Sequence, residues 1–172
     1  MRMIETNGVR LRIAEMGPQD GEAPLVLLVH GWPESWYSWR HQMPALARAG
    51  YRVVAPDMRG YGGSDKPQAV EAYDIHHTTA DLVGLLDALG ADRAVLVGHD
   101  WGAVIAWQAM LMHPDRFRAL YAMSVPFAGR PAVSPLETWK RQHGENFFYI
   151  LYHQEPGVAE AEYDADPRGL LE

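Results

Sequence analysis

Three short, largely apolar runs recur along the chain, and each ends near a glycine, a proline or an aspartate. They are LVLLV at 25–29, YRVVA at 51–55 and AVLVG at 94–98. Strands buried on both faces of a parallel sheet show no polar side, so runs of this kind predict parallel β-strands. FRALYAMS at 117–124 is predicted as one further strand.

Apolar residues at intervals of three or four predict helices between and after these strands. The predicted helices cover 36–49, 78–89 and 101–112. Residues 1–17 instead alternate polar and apolar positions around Asn7-Gly8, a turn sequence typical of a β-hairpin. An N-terminal hairpin followed by alternating strands and helices predicts a doubly wound, mostly parallel α/β sheet.

The character of the chain changes after Pro126. PFAGRPAVSPLE at 126–137 holds three prolines and a glycine, and an aromatic stretch and an acidic stretch follow it. We therefore expect 1–125 to form an α/β core and 126–172 to belong to a second segment that is too short to fold alone.

Composition excludes several classes of function. The chain has 172 residues, a formal net charge of -7 and no cysteine, which argues against nucleic acid and anionic membranes as partners and excludes disulfides and thiolate metal sites. The eight histidines show no metal-ligand spacing, so we expect no metal site. No apolar run reaches membrane-spanning length, and no signal peptide precedes the hairpin, so we expect a cytoplasmic protein.

The sequence GHDWG at 98–102 joins a predicted strand to a predicted helix. Small residues on both sides let strand and helix approach closely, which pushes the side chain of Asp100 out of the turn, as in a G-x-S-x-G nucleophile elbow with aspartate in place of serine. Asp is also among the best N-cap residues, and its charge suits a helix N-terminus. The residues alone leave the nucleophile and the capping interpretations open.

An aspartate at an elbow has a specific chemical meaning. A carboxylate with a reference pKa of about 3.9 is already anionic at neutral pH and needs no base to attack. It can displace a leaving group from saturated carbon and form an alkyl ester, which points to epoxides or alkyl halides. Water activated by a histidine would then attack the carbonyl carbon of the ester, so an oxyanion hole is needed, and the backbone N–H of Trp101 is expected as one donor.

Three motifs in this order and spacing resemble the epoxide hydrolases of the α/β-hydrolase superfamily: HGWPESWYSWR at 30–40, PDMRGYGGSDKP at 56–67 and GHDWGA at 98–103. The resemblance implies the α/β-hydrolase fold and makes HGWP at 30–33 the oxyanion loop, with the backbone N–H of Trp32 as the second donor. Pro33 would help to fix the direction of this loop through its locked φ. The resemblance also implies a supporting role for other positions of these motifs: His30, Gly31, Pro33, Gly98, His99 and Gly102.

Other polar and aromatic residues are interpreted as structural. His30 and His99 are expected to bond to the backbone rather than to act as bases. Asp57 is expected to pair with Arg59 as part of the scaffold. His76 and His77 are interpreted as the exposed start of a helix. Three tryptophans at helical spacing are interpreted as core residues: Trp36, Trp39 and Trp107.

The stretch NFFYILYHQEPGVAEAEYDADPR at 146–168 resembles the first helices of the family's cap, or lid. There Tyr149 matches the tyrosine whose hydroxyl donates a hydrogen bond to the epoxide oxygen. Ring opening develops an alkoxide that needs such a donor, whereas a halide leaves as an anion and does not. On its own pattern, FFYILY favours a packed aromatic, so the catalytic interpretation of Tyr149 depends on the resemblance.

The resemblance covers the whole chain but only the front half of the family's chain. Family members continue with a second cap tyrosine, an acid and the general-base histidine, and no histidine here matches that base. We therefore interpret the chain as a fragment, incomplete at the C-terminus, of an epoxide hydrolase that needs water and no cofactor. The alternatives are a haloalkane dehalogenase with the same aspartate and a noncatalytic remnant. The sequence leaves homo-oligomer formation open.

Overall fold

A six-stranded sheet forms the frame of the first part of the chain. The computed structural model describes residues 1–129 and 131–169. In chain order the strands are β1 (Arg2–Thr6), β2 (Val9–Met16), β3 (Leu25–Val29), β4 (Arg52–Pro56), β5 (Ala94–His99) and β6 (Phe117–Met123). Their order in the sheet is β1-β2-β4-β3-β5-β6, with β1 and β2 antiparallel and β3 to β6 parallel. The predicted hairpin and the mostly parallel α/β sheet are thus confirmed.

Both faces of the sheet are covered, which explains why its central strands are largely apolar; a charged exception is Arg52 at the start of β4, which pairs with Glu15. All five residues of β3 and all five of β4 are buried. Successive residues of β3 belong to different clusters: Leu27 packs with the residues of one face, and Leu28 packs with those of the other. A strand with two dry faces has no position at which a polar side chain could reach water.

Three helices pack on this sheet: α1 (Gln42–Arg48), α2 (Ile75–Ala88) and α3 (Trp101–Met112). The helix α2 begins after Asp74, whose side chain accepts a hydrogen bond from the N–H of His77. Both His76 and His77 are exposed in the first turn, as predicted. The buried ring of Trp39 and the partly buried ring of Trp36 belong to the cluster that also contains Met43 of α1, and Trp107 of α3 is partly buried.

The continuous helix predicted over 36–49 is wrong. A 3-10 helix covers Trp36–Trp39, and α1 begins only at Gln42. The physical reason is Pro44, which has no N–H to donate to the carbonyl of Arg40 and whose ring would clash with it in an unbroken helix. Starting α1 at Gln42 places the proline in the first turn, where an N–H has no helical partner in any case.

The chain divides into two compact units, Met1–Phe127 and Ala128–Glu172. The second contains α4 (Pro135–His143), α5 (Tyr149–Tyr152) and α6 (Val158–Ala165). The assignment of this second unit to a cap remains a prediction. Among residues 1–129 and 131–169, no helix is long and apolar enough to span a membrane.

Aromatic and polar contacts join the helices of the second unit. The ring of Phe148 stacks on His143 at the end of α4, with ring centroids 4.1 Å apart. The hydroxyl of Tyr152 donates to Glu162, and Nε2 of His153 lies 2.7 Å from the hydroxyl of Tyr163. Tyr152 is the last residue of α5 and His153 directly follows it, so these two contacts connect the end of α5 to α6.

Candidate active site

The candidate nucleophile, Asp100, lies at the turn between β5 and α3, where its backbone adopts φ 54° and ψ -126°. A backbone in this sparsely populated region costs a residue with a side chain about 1–3 kcal/mol, and it persists only where the surrounding structure imposes it. A sharp turn from strand to helix is also the backbone geometry of a nucleophile elbow. The surrounding structure therefore fixes the direction of the Asp100 side chain at a cost in local backbone stability.

Glycines around Asp100 let a strand, a helix and a loop meet. A Cβ on Gly102 would lie 2.1 Å from the carbonyl oxygen of Val29, and one on Gly98 would lie 2.5 Å from the carbonyl oxygen of Gly102. A Cβ on Gly31 would lie 2.3 Å from Oδ1 of Asp100 itself. All three distances are shorter than real Cβ contacts, so these positions require glycine if the elbow is to keep its shape.

The carboxylate of Asp100 faces the loop after β3 rather than the helix that follows it. Its Oδ1 accepts a hydrogen bond of 2.9 Å from the backbone N–H of Trp32. Its side chain makes no capping hydrogen bond to α3, so the capping interpretation is wrong. The N–H of Asp100 donates to Oγ of Ser124, at 3.3 Å, and Ser124 itself has a positive φ of 64°.

The sequence predicts two oxyanion donors, and the structure places one of them on the carboxylate. That donor is the N–H of Trp32, which precedes the exposed Pro33 across a cis peptide bond. Trp101 is the first residue of α3, and the N–H groups of a first helical turn have no partner within their own helix. Its role as the second donor stays a prediction.

Glu34 holds the loop that carries the Trp32 N–H, and the sequence did not single it out. Its Oε2 accepts from the N–H of Gly31 at 3.2 Å, and its Oε1 lies 3.2 Å from Nδ1 of His99. The prediction that His99 bonds to the backbone is therefore wrong, because its ring reaches a carboxylate instead. The acidic residue of the HGWPE stretch was a visible signal, but its partner lies 65 positions away in the sequence.

His30 is buried and bonded at both ring nitrogens. Its Nε2 accepts from the N–H of Met58 at 2.9 Å, so the proton is on Nδ1, which donates to the carbonyl of Gly31 at 2.8 Å. Burial lowers the pKa of His30 below its usual value. A neutral ring with both nitrogens engaged holds the loop after β3 in place and has no free nitrogen with which to deprotonate water.

Asp57 lies directly after β4 and is completely buried. One carboxylate oxygen accepts from Nε of Arg12 at 2.7 Å and from the N–H of Gly63 at 2.8 Å. The other accepts from the N–H of Trp36 at 3.0 Å. Both oxygens are thus occupied by donors from distant segments, which is the environment of a scaffold carboxylate.

The predicted pairing of Asp57 with Arg59 is wrong. Arg59 instead binds Asp81 on α2 through two hydrogen bonds of 2.8 Å and 2.6 Å, and it also donates to the carbonyl of Ala72. The physical reason is that α2 presents a buried carboxylate to Arg59, while Arg12 on β2 already reaches Asp57. The hydrogen bond to Asp81 raises the pKa of Arg59.

Tyr149 is the first residue of α5 in the second unit. Its ring lies edge-on to Phe148 and His153, with centroid distances of 5.6 Å and 5.7 Å. Its role in ring opening stays a prediction. Within residues 1–129 and 131–169, no group of three or more histidine and acidic side chains is placed to hold a metal ion.

Known structures and curated proteins resemble this chain closely. The crystal structure of epoxide hydrolase A from Mycobacterium thermoresistibile matches with a TM-score of 0.92 and 58% identity, over 96% of this chain and 52% of the other. An epoxide hydrolase from an endophytic Streptomyces matches with a TM-score of 0.93 and 50% identity, over 99% and 50%. Epoxide hydrolase A of Mycobacterium tuberculosis is 62% identical over 166 residues, 96% of this chain and 51% of that protein.

The chain spans about half the length of the relatives named above. Residues 24–151, which include the elbow and the loop that holds it, match the family described as the alpha/beta hydrolase fold. The chain belongs to the alpha/beta hydrolase fold family.

Proposed function

We propose that this chain carries the nucleophile and the oxyanion hole of an epoxide hydrolase. The observation that carries the proposal is the carboxylate of Asp100, set on a strained turn and held at one oxygen by the N–H of Trp32. The names of the similar proteins support the same substrate class, a small-molecule epoxide, with water as the second reactant.

In the first step, Oδ2 of Asp100 attacks an epoxide carbon while the Trp32 N–H keeps Oδ1 in position. A carbon–oxygen bond to the carboxylate forms, the ring carbon–oxygen bond breaks, and the electron pair of that bond moves to the ring oxygen. The product is a hydroxyalkyl ester of Asp100, once the ring oxygen has received a proton.

The proton or hydrogen bond for the ring oxygen is assigned to the hydroxyl of Tyr149. The support for this assignment is the resemblance of 146–168 to the family's cap, together with the chemical need to stabilise a developing alkoxide. Replacing Tyr149 with Phe removes only that hydroxyl. We expect ester formation from an epoxide to slow and ester formation from an alkyl halide, which needs no such donor, to stay unchanged.

In the second step, water attacks Cγ of the ester, and the negative charge that develops falls on Oδ1. The Trp32 N–H already lies 2.9 Å from this oxygen, so the donor needs no rearrangement when the charge appears. The attacking water must lose a proton to a base, and the tetrahedral intermediate must then break its bond between Cγ and Oδ2, which releases a vicinal diol and restores the carboxylate. His30 is excluded as this base by its two bonded nitrogens and its burial.

The experiment that tests the proposal is a time course of intact protein mass during incubation of the folded chain with styrene oxide, and separately with 1-bromobutane. We expect the mass to rise by one whole epoxide, because the carboxylate adds to the ring without losing a group. We expect the ester to persist, because no histidine of this chain matches the base that the family uses for hydrolysis. The matched control is Asp100→Asn, which keeps an oxygen for the Trp32 N–H but has no anionic nucleophile.

The possible outcomes separate the alternatives cleanly. A stoichiometric adduct in the natural chain and none in Asp100→Asn supports the epoxide hydrolase. An adduct from the bromoalkane alone identifies a haloalkane dehalogenase instead. The absence of any adduct on a chain that is folded by circular dichroism contradicts the proposal and favours a noncatalytic remnant.

We propose a cytoplasmic protein that needs no nucleic acid, membrane or cofactor for this chemistry, on the grounds of charge and composition. Its state of assembly is open to a measurement of molar mass in solution.

A further inference from the structure

One carboxylate connects the two parts of the proposed site. Glu34 lies in the segment 30–35 between β3 and the first 3-10 helix, which has neither helix nor strand. His99 is the last residue of β5 and directly precedes Asp100. We propose that the contact between Glu34 and His99 is a positioning latch, which holds the donor loop at the correct distance from the nucleophile; this inference rests on the proposed function.

The loop side of the latch is a compact turn around the donor. The N–H of Gly31 donates to Oε2 of Glu34 at 3.2 Å, and the N–H of Glu34 donates to the carbonyl of Gly31 at 3.1 Å. These two bonds enclose Trp32, whose N–H binds Asp100. A displacement of the Glu34 carboxylate would therefore move the peptide group that carries the donor.

The sheet side of the latch is rigid. His99 pairs with Met123 across β5 and β6, and its backbone continues directly into the elbow. Because a carboxylate can only accept, Nδ1 of His99 must carry a proton and donate to Oε1 of Glu34, at 3.2 Å. The contact therefore fixes the position of the loop relative to β5, the strand that also positions Asp100.

The exposure of the pair indicates a geometric rather than a stabilising role. The side chains of His99 and Glu34 are 39% and 24% exposed, and pairs this accessible to water contribute little to the stability of folding. Positioning has a larger effect, because a misplacement of about 1 Å can cost about 100-fold in rate. The latch should consequently influence the rate of reaction at Asp100 more than it influences unfolding.

The test compares the rate constant for ester formation at Asp100 with styrene oxide in single and double variants. We expect Glu34→Ala and His99→Phe each to slow the reaction about tenfold, and the double variant to be no slower than the slower single variant. His99→Asn keeps an N–H donor near the position of Nδ1 and should recover most of the rate. The final amplitude of the adduct, which reports the folded fraction, should not change.

A matched control comes from a similar pair elsewhere. Nδ1 of His77 lies 2.7 Å from Oδ1 of Asp74 at the start of α2, and both side chains are exposed. His77→Phe removes a histidine–carboxylate contact of the same kind that touches no part of the proposed site. We expect this variant to form the ester at the natural rate.

A second measurement does not depend on the chemistry. The backbone amide resonance of Trp32 should shift in Glu34→Ala and in His99→Phe, and should stay in place in His77→Phe. If that resonance is the same in all variants, or if the two latch variants react at the natural rate, the latch is overturned while the proposed function stands. If the natural chain forms no adduct, the proposed function fails, and the latch then fails with it as a device for that reaction.

Discussion

Two aspartates at the same edge of the sheet have opposite environments. Asp57 follows β4 and Asp100 follows β5, so each directly succeeds a parallel strand at its carboxyl end. Asp57 is fully buried, and both its oxygens are occupied by donors that include the guanidinium of Arg12. Asp100 is only partly buried, and the hydrogen bond to its carboxylate comes from an uncharged peptide N–H.

We infer that the environment, and not the residue type or the strand position, separates a scaffold acid from the proposed nucleophile. An arginine and several N–H groups on one carboxylate disperse its charge and block its lone pairs, which suits a structural role. A single neutral donor orients a carboxylate and leaves an oxygen to react. The strained backbone of Asp100 adds to the contrast, because strain of this kind is concentrated at functional sites.

The largest expected difference between the two aspartates is in reactivity. Asp100→Asn should reduce ester formation with styrene oxide at least about 1000-fold, because the variant has no anionic nucleophile. Asp57→Asn should leave the rate per folded molecule within a few-fold of the natural chain. Intact-mass kinetics on both variants measures this, and a comparable loss of rate in both would refute the distinction.

The next expected effect concerns the approach of the loop to Asp100. In Gly31→Ala, the added methyl would lie 2.3 Å from Oδ1 of Asp100 in the present geometry, so the loop or the carboxylate must move. We expect ester formation to slow about 100-fold, because the donor and the nucleophile separate. The same kinetic assay checks this, with Gly50→Ala as a control at a glycine whose Cβ would meet no neighbouring atom but whose positive φ strains alanine.

Asp57 should stabilise the fold, whereas Asp100 should not. Asp57→Asn leaves the guanidinium of Arg12 without its carboxylate, and we expect the free energy of unfolding to fall by about 2 kcal/mol. The value lies below that for a fully buried pair, because the side chain of Arg12 is 34% exposed. Urea denaturation measures the change, and an unaltered midpoint would contradict the scaffold role.

The burial of His30, at the same edge of the sheet, predicts that the free energy of unfolding depends on pH. Burial lowers its pKa in the folded chain, so the unfolded chain takes up the proton first as the pH falls through about 6.5. Stability is therefore complete above that pH and decreases below it, by up to about 1.4 kcal/mol per pH unit for this one group. His30→Gln, which keeps an acceptor for Met58, should show a weaker decrease between pH 7.5 and 5.5 in urea denaturation. Equal decreases in both proteins would exclude His30 as the source.

The smallest expected effect is a gain in stability on replacing the proposed nucleophile. Asp100→Gly removes the side chain from a backbone with φ 54°, and we expect the free energy of unfolding to rise by about 1 kcal/mol. The same substitution abolishes ester formation, so activity and stability should change in opposite directions. A loss of stability in this variant would show that the turn is not strained.

The sequence was sufficient for features that are encoded locally. The strands 25–29 and 94–98, the hairpin at Asn7-Gly8 and the elbow at 98–102 each depend on residues that are neighbours in the chain. The start of α4 was also encoded locally, as Ser134 followed by Pro135, but the proline-containing stretch was interpreted only as the boundary of the second segment.

Contacts between distant segments could not be predicted in the same way. Asp57 and Arg59 are close in sequence, and proximity alone suggested a pair, yet each binds a partner from another element. Glu34 and His99 likewise come together only because β3 and β5 are adjacent in the sheet. The choice among available charged partners depends on the completed fold.

Peptide mapping of the chain after reaction with styrene oxide distinguishes Asp100 from Asp57 at once, because it measures the occupancy of every carboxylate separately. We expect one hydroxyalkyl ester on Asp100, none on Asp57, and none above background on exposed carboxylates such as Asp92. An adduct on Asp57, or a distribution that follows exposure rather than the elbow, would contradict this expectation.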